Sequence, residues 1–203
     1  MVSTKKRYSR RYALTALCVC AMLTALYVVL NRFVSIPISS GIKIGFSMVA
    51  PIMAGALYGP ISGALVYGLG DLIAALLVPQ GTFHPGFTIC AAAMGFLWGL
   101  FLCPESFIQS RLLKDRENSS FFRILTVLIP AVVNCLVFGL LLNTLWVSQL
   151  FGSKTYPGWF LYRLPQYAVM IPVNCVLGFS LQPLAKLLKK QALGKQPAKN
   201  CTR

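Results

Sequence analysis

The sequence predicts an all-α membrane protein: a single six-transmembrane-helix bundle with both termini cytoplasmic. Three observations lead there. Composition is the first: 57% of the 203 residues are hydrophobic and only 11% are charged, about half the charge of an ordinary soluble domain, and mean hydropathy is +0.70. The second is continuity. Apolar runs of helix length recur along the chain, whereas a membrane barrel would show short alternating strands. The third is the placement of charge. Of the 19 Lys and Arg, five precede the first apolar run (Lys5, Lys6, Arg7, Arg10, Arg11). Four surround one polar loop (Arg111, Lys114, Arg116, Arg123), and six lie from Lys186 to Arg203. With the N-terminus inside, these fifteen are cytoplasmic and only Arg32, Lys43, Lys154 and Arg163 fall outside, as the positive-inside rule asks. The formal net charge of +15 thus reads as flanking charge that meets anionic membrane lipids, not as a nucleic-acid surface.

The elements follow in order. A basic N-tail, 1–11, leads into a transmembrane domain, 12–190, and a basic C-tail, 191–203, ends the chain. The first helix covers Tyr12–Asn31. It is basic and then apolar, as in a signal peptide, but about 20 apolar residues without a small-residue cleavage site read as a retained span. The second covers Ile44–Tyr58 and the third Ile61–Val78, joined by the tight pair Gly59–Pro60. The fourth covers Gly86–Cys103, the fifth Phe122–Phe151 and the sixth Phe160–Lys190, whose last turns are basic and leave the membrane. Small residues recur every four positions at Gly55, Gly59 and Gly63, at Ala91, Gly95 and Gly99, and at Ala21 and Ala25. Such spacing lets helix backbones approach closely. In the second and fourth helices it predicts internal packing. In the first it equally suits an outward docking face.

Several chemistries are excluded. No GxxxxGK[ST] occurs, so ATP hydrolysis by a P-loop is ruled out. His84 is the only histidine, which leaves no Ser–His–Asp set. The seven cysteines contain no CxxC pair and read as small buried hydrophobes, so neither metal nor cofactor is expected. No paired intramembrane acids are present to relay protons. What remains is a binding protein.

Three polar segments gather on the outer face: Arg32–Lys43, Pro79–Pro85 ("PQGTFHP") and Gly152–Trp159. Below them stands Asp71, ten residues into the third helix and so ~15 Å deep in a ~30 Å core. A charge there costs about 2.5–3.5 kcal/mol to insert and must face the bundle interior. Tyr67 lies one turn earlier on the same face. Two readings of Asp71 stand: a ligand contact accepting paired N–H donors, or an acid tied to an internal partner. Arg163 opens a stripe continued by Gln166, Tyr167, Met170 and Asn174, a spacing that keeps all five on one helix face. Snorkelling to headgroups would explain Arg163 alone, but a stripe that runs inward favours a pocket lining. Asn143 and Trp146 lie a turn apart on the fifth helix. Trp146 is an interfacial belt residue or, with Asn143, a stacking wall. Trp159 and Tyr162 read as belt residues. His84 is a solvated loop residue or bonds a ligand from above, beside Phe83, and Arg32 and Lys43 add cationic candidates at the mouth.

The block "GIKIGFSMVAPIMAGALYGPISGALVYGLGDLIAALLVPQGTFHPGFTICAAAMGFLWGLF", residues 41–101, resembles the substrate-binding S components of energy-coupling factor (ECF) vitamin transporters, and most of all their folate family. "LNRFVSIP" at 30–37 and "LNTLW…YRLPQYAVMIPV" extend the resemblance over most of 13–188. It departs at "HPGFT", where an aromatic is expected before the proline. The resemblance implies a non-enzymatic six-helix protein of the plasma membrane that captures folate outside the cell. It implies partners as well, a transmembrane T component and two ABC-type ATPases, with Ala21 and Ala25 docking on the former and the loops 32–43 and 79–85 acting as gates. A flat pterin and an anionic tail suit the residues above: Asp71 or Asn143 for the pterin edge, Arg163, Arg32 or Lys43 for the carboxylates. The alternatives are another vitamin or precursor, such as pantothenate or a pterin- or purine-like compound, and a membrane assembly protein without a ligand.

Overall fold

The computed structural model describes residues 2–39, 42–77, 79, 84–103, 120–151 and 155–193, with side chains described from 13 onward, outside the strands, to 189. Six helices run in sequence among the described residues. α1 (Val2–Val29) carries the apolar stretch Ala13–Val34 and ends in a π turn, Leu30–Val34. Two short strands follow, β1 (Ile36–Ser39) and β2 (Ile42–Ile44), paired antiparallel with Ile36 opposite Ile44. They are the one departure from an all-helical chain among the described residues.

α2 is Val49–Tyr58 and α3 is Pro60–Leu77. Between them Gly59 takes a left-handed backbone, φ 96°, and its N–H bonds the Gly55 carbonyl; only glycine adopts that conformation without strain. α4 is Pro85–Leu102, opened by His84, whose Nδ1 accepts the Gly86 N–H at 3.1 Å. α5 is one continuous helix of three segments, Ser120–Val133, Asn134–Leu142 in π geometry and Asn143–Phe151. α6 is Tyr156–Leu193.

α3 and α4 fall within a residue of the sequence reading. The second helix does not. It was expected from Ile44, but Ile42–Ile44 is used in the strand pair and the helix starts only at Val49. Its ten residues rise about 15 Å, half of a ~30 Å hydrocarbon core. Among the described residues five helices are long and apolar enough to cross a membrane, and α2 is not. The six-helix bundle therefore contains five full-length spans and one short helix. α2 is enclosed instead, with every residue from Ala50 to Ala56 buried, packed against α1, α3, α4 and α6.

The small-residue pattern explains how α2 and α3 meet α4. A Cβ on Gly55 would lie 2.8 Å from the Gly99 Cα, and one on Gly99 2.5 Å from the Pro60 Cα. Gly63 and Gly95 likewise leave no room for a Cβ against each other's carbonyls. Three backbones therefore touch directly. Trp98, fully buried, fills the space between this trio and α6, where Gly178 admits its ring. Large apolar side chains such as Leu17, Leu69, Leu76, Ile89, Leu161 and Val176 stay exposed around the outside, as lipid-facing residues do.

Candidate functional site

A second packing regime occupies the space between α3, α4, α5 and α6, where polar groups replace glycines. Arg163 is its centre. Only 6% of it is exposed, so it does not snorkel. Nη1 donates to Thr144 Oγ1 at 3.3 Å, Nη2 donates to the Tyr167 hydroxyl at 3.0 Å, and Nε is buried with no partner. Tyr167 can approach because Gly139 of α5 has no side chain in its way. Among the described residues no carboxylate pairs with this guanidinium.

Asn143 sits one residue before Thr144. Its amide lies near the Tyr167 hydroxyl without completing a hydrogen bond, and its Oδ1 is buried without a partner. Gln166 and Asn174 are buried on the Arg163 face of α6, as the spacing predicted. Asn174 donates to Cys135 Sγ at 3.3 Å, and Asn134 donates to the Met94 carbonyl at 3.5 Å. Both asparagines keep a buried carbonyl oxygen unpaired.

Asp71 is half-buried and accepts from Thr88 Oγ1 at 3.1 Å. It is the only acid in the chain outside the 105–117 stretch. Tyr67 packs against Tyr27 with ring centroids 5.1 Å apart, and lies within electrostatic reach of Asp71 and of Tyr167. Tyr27 accepts from Asn31 Nδ2 at 2.8 Å and is within electrostatic reach of Arg32. The polar groups of α1, α3 and α4 thus form one cluster and those of α5 and α6 a second, with Tyr67 and Tyr167 within electrostatic reach of each other.

The outer edge is aromatic. His84 stacks on Trp146 at 4.7 Å and 26°, and Gly86 leaves room for the indole. Trp146 Nε1 is buried; the Cys90 thiol lies beside it but does not complete a hydrogen bond. His84 is not a solvated loop residue but caps α4, and Trp146 is not a belt residue. Trp159 is also no belt residue: at 3% exposure it packs edge-on to Tyr162 inside the first turns of α6, because that helix begins at Tyr156 rather than Phe160.

The remaining candidates divide. Arg32 stands on the π turn that ends α1, with Nε buried and unpaired. The backbone of Lys43 is in β2, but its side chain lies outside the described residues, as does all of Phe83. Ala21 and Ala25 are exposed on α1, away from the polar region. Sequence reasoning missed Thr144, Thr88 and Tyr27. Thr144 was findable only by its neighbour Asn143, since a regular helical wheel puts it on the wrong face.

These features define a membrane-embedded binding protein. A transmembrane bundle holds buried polar groups, several unsatisfied, beneath an aromatic edge. The chain matches the family described as ECF-type riboflavin transporter, S component, over residues 12–183. It is 30% identical over 159 residues to a folate transporter FolT of Clostridium novyi, covering 77% of this chain and 81% of that one. A folate transporter FolT of Leuconostoc mesenteroides is 22% identical over 166 residues, 79% of this chain and 80% of its own length. In fold it is similar to a crystal structure of FolT bound with folic acid, with TM-score 0.68, 21% identity, and 83% and 92% of the two chains covered. It is also similar to an S component for biotin, with TM-score 0.58, 21% identity and 89% and 94% covered. The chain belongs to the S components of ECF-type transporters. It is a multi-pass plasma-membrane transport protein and not an enzyme.

Proposed function

We propose that this S component captures folate outside the cell and delivers it inward with a transmembrane T component and two ABC-type ATPases. The observation that carries the ligand is Arg163. A cation buried in a bundle is costly unless paired, and this one has two neutral hydroxyl partners, a spare Nε–H and no carboxylate among the described residues. A ligand carboxylate satisfies that demand with a charge-assisted bond. Folate brings carboxylates on its glutamate tail. Its flat pterin suits the aromatic pair His84 and Trp146, and the N–H donors of the pterin edge suit Asp71 or the unpaired Asn143 Oδ1. Arg32, Lys43, Phe83, Gln166 and Tyr67 complete the proposed contacts.

Two folate transporters among the relatives support the same ligand. A riboflavin reading rests on the matched family's description; riboflavin carries no carboxylate and leaves Arg163 unpaired. The basic tails and the 104–123 loop favour cytoplasmic termini around a 12–190 membrane domain. The exposed Ala21 and Ala25 are the proposed docking surface for the T component.

Equilibrium binding to the purified protein tests the ligand. Folate is expected to bind tighter than micromolar. Failure to do so, with tight binding of another vitamin, overturns the folate reading. Co-purification of a T component and ATPases tests the assembly, and uptake by vesicles that needs neither ATP nor partners overturns it.

A further inference from the structure

The binding wall of α5 depends on a feature of the backbone that no side chain reveals. Buried positions along this helix fall at Thr126 and Val127, Pro130 and Ala131, Asn134 and Cys135, then Gly139 and Leu140, then Thr144 and Val147. The step is four up to Asn134 and five from there to Thr144. The change coincides with the nine-residue π segment Asn134–Leu142, and the Asn143 N–H bonds the Phe138 carbonyl, five residues back. In uninterrupted α geometry Asn143 lies about two and a half turns from Asn134, on the opposite face, and Thr144 is rotated about 80° away from it. With i→i+5 bonding, Asn134, Gly139 and Thr144 stack.

We infer that the π segment is a register-setting device: it turns the outer part of α5 so that Asn143, Thr144 and Trp146 face the site, while the part before it stays packed on α4 and α6. Three contacts depend on that turn. Thr144 accepts from Arg163, Gly139 receives the Tyr167 ring, and Trp146 meets His84. The lipid face moves with it, since Leu136, Val137, Leu141 and Leu145 are the exposed positions. Gly139, Thr144 and the segment itself thereby become positioning elements for binding.

Two measurements test this, one without any ligand. A nitroxide introduced as a non-canonical amino acid at successive positions from 136 to 146, in the full chain in lipid, reads oxygen accessibility. Maxima are expected at Val137, Leu141 and Leu145 with minima at Gly139 and Asn143. An α register counted from the exposed Leu128 puts maxima near 139, 142 and 146 instead, and that pattern overturns the inference. The second measurement rests on the folate reading above. Deleting Leu141 turns everything beyond it by about 100°; folate affinity is expected to fall by more than a hundredfold, while Leu141→Ala stays within twofold of wild type. A folded deletion variant that binds like wild type also overturns the inference. If the deletion variant does not fold, the accessibility pattern decides. If wild type binds no folate, the ligand reading fails and the scan still judges the register.

Discussion

The glycine-packed trio of α2, α3 and α4 and the polar face between α5 and α6 solve the same problem in opposite ways. In the trio, backbones touch through Gly55, Gly63, Gly95 and Gly99, and among the described residues the one buried polar side-chain atom left unpaired there is the Trp98 indole nitrogen. Between α5 and α6, Arg163, Asn134 and Asn174 are buried with polar atoms left unpaired, and the Oδ1 of the half-buried Asn143 is buried and unpaired as well. A membrane offers no water to satisfy such groups, so natural bundles avoid them without a reason. The difference separates a region whose job is to hold a shape from one that is incomplete until something binds.

The sharpest way to break the contrast is at the trio. Gly95→Val places a side chain against the Gly63 carbonyl, a backbone atom that cannot swing aside. The cost is expected to exceed the ~3 kcal/mol of ordinary overpacking, seen as a collapsed Tm or loss of folded protein in detergent. Arg163→Ala should do the reverse. Folate affinity falls by about 2–5 kcal/mol, roughly 30-fold to several-thousand-fold. Tm holds or rises, because a buried cation without a counter-charge is removed. Calorimetric titration and a thermal melt on one sample measure both.

Smaller effects sharpen the polar side. Asp71→Asn keeps an acceptor for Thr88 but removes the charge, and is expected to weaken folate binding by about 1.5 kcal/mol, a little over tenfold, at unchanged Tm. Collapse of Tm with binding retained marks Asp71 as an internal tether. His84→Ala removes the stack on Trp146, worth about 0.5–1.5 kcal/mol, and should appear as a several-fold faster folate release in stopped-flow fluorescence. Smallest for the isolated protein is Ala25→Leu on the exposed face of α1: folate binding is unchanged, and uptake by the assembled transporter is lost.

The sequence carried the trio almost completely, because spacing of small residues is a direct signature of backbone contact. α3 and α4 were bounded to a residue for the same reason, with Pro60 and Pro85 marking their starts. The stripe from Arg163 to Asn174 was legible since α6 keeps α geometry through it. α5 was not, because the π segment breaks the 3.6-residue repeat on which any helical wheel depends, which hid Thr144. The strand pair that shortens α2 was equally hidden. Its strands, Ile36–Ser39 and Ile42–Ile44, are four and three residues long, too short for their alternation to stand out beside the apolar run that follows. Asp71 was placed correctly as inward-facing, but Thr88, seventeen residues away, could not be read as its partner.

The central claim is that Arg163 waits for a ligand carboxylate, and a coupling measurement tests it most directly. Wild type and Arg163→Ala are each titrated with folate and with a pterin analogue that lacks the glutamate carboxylates. The substitution is expected to weaken folate binding at least about tenfold, or 1.4 kcal/mol, more than it weakens binding of the analogue. Equal losses for the two ligands, or a wild type that binds the analogue as tightly as folate, would contradict it.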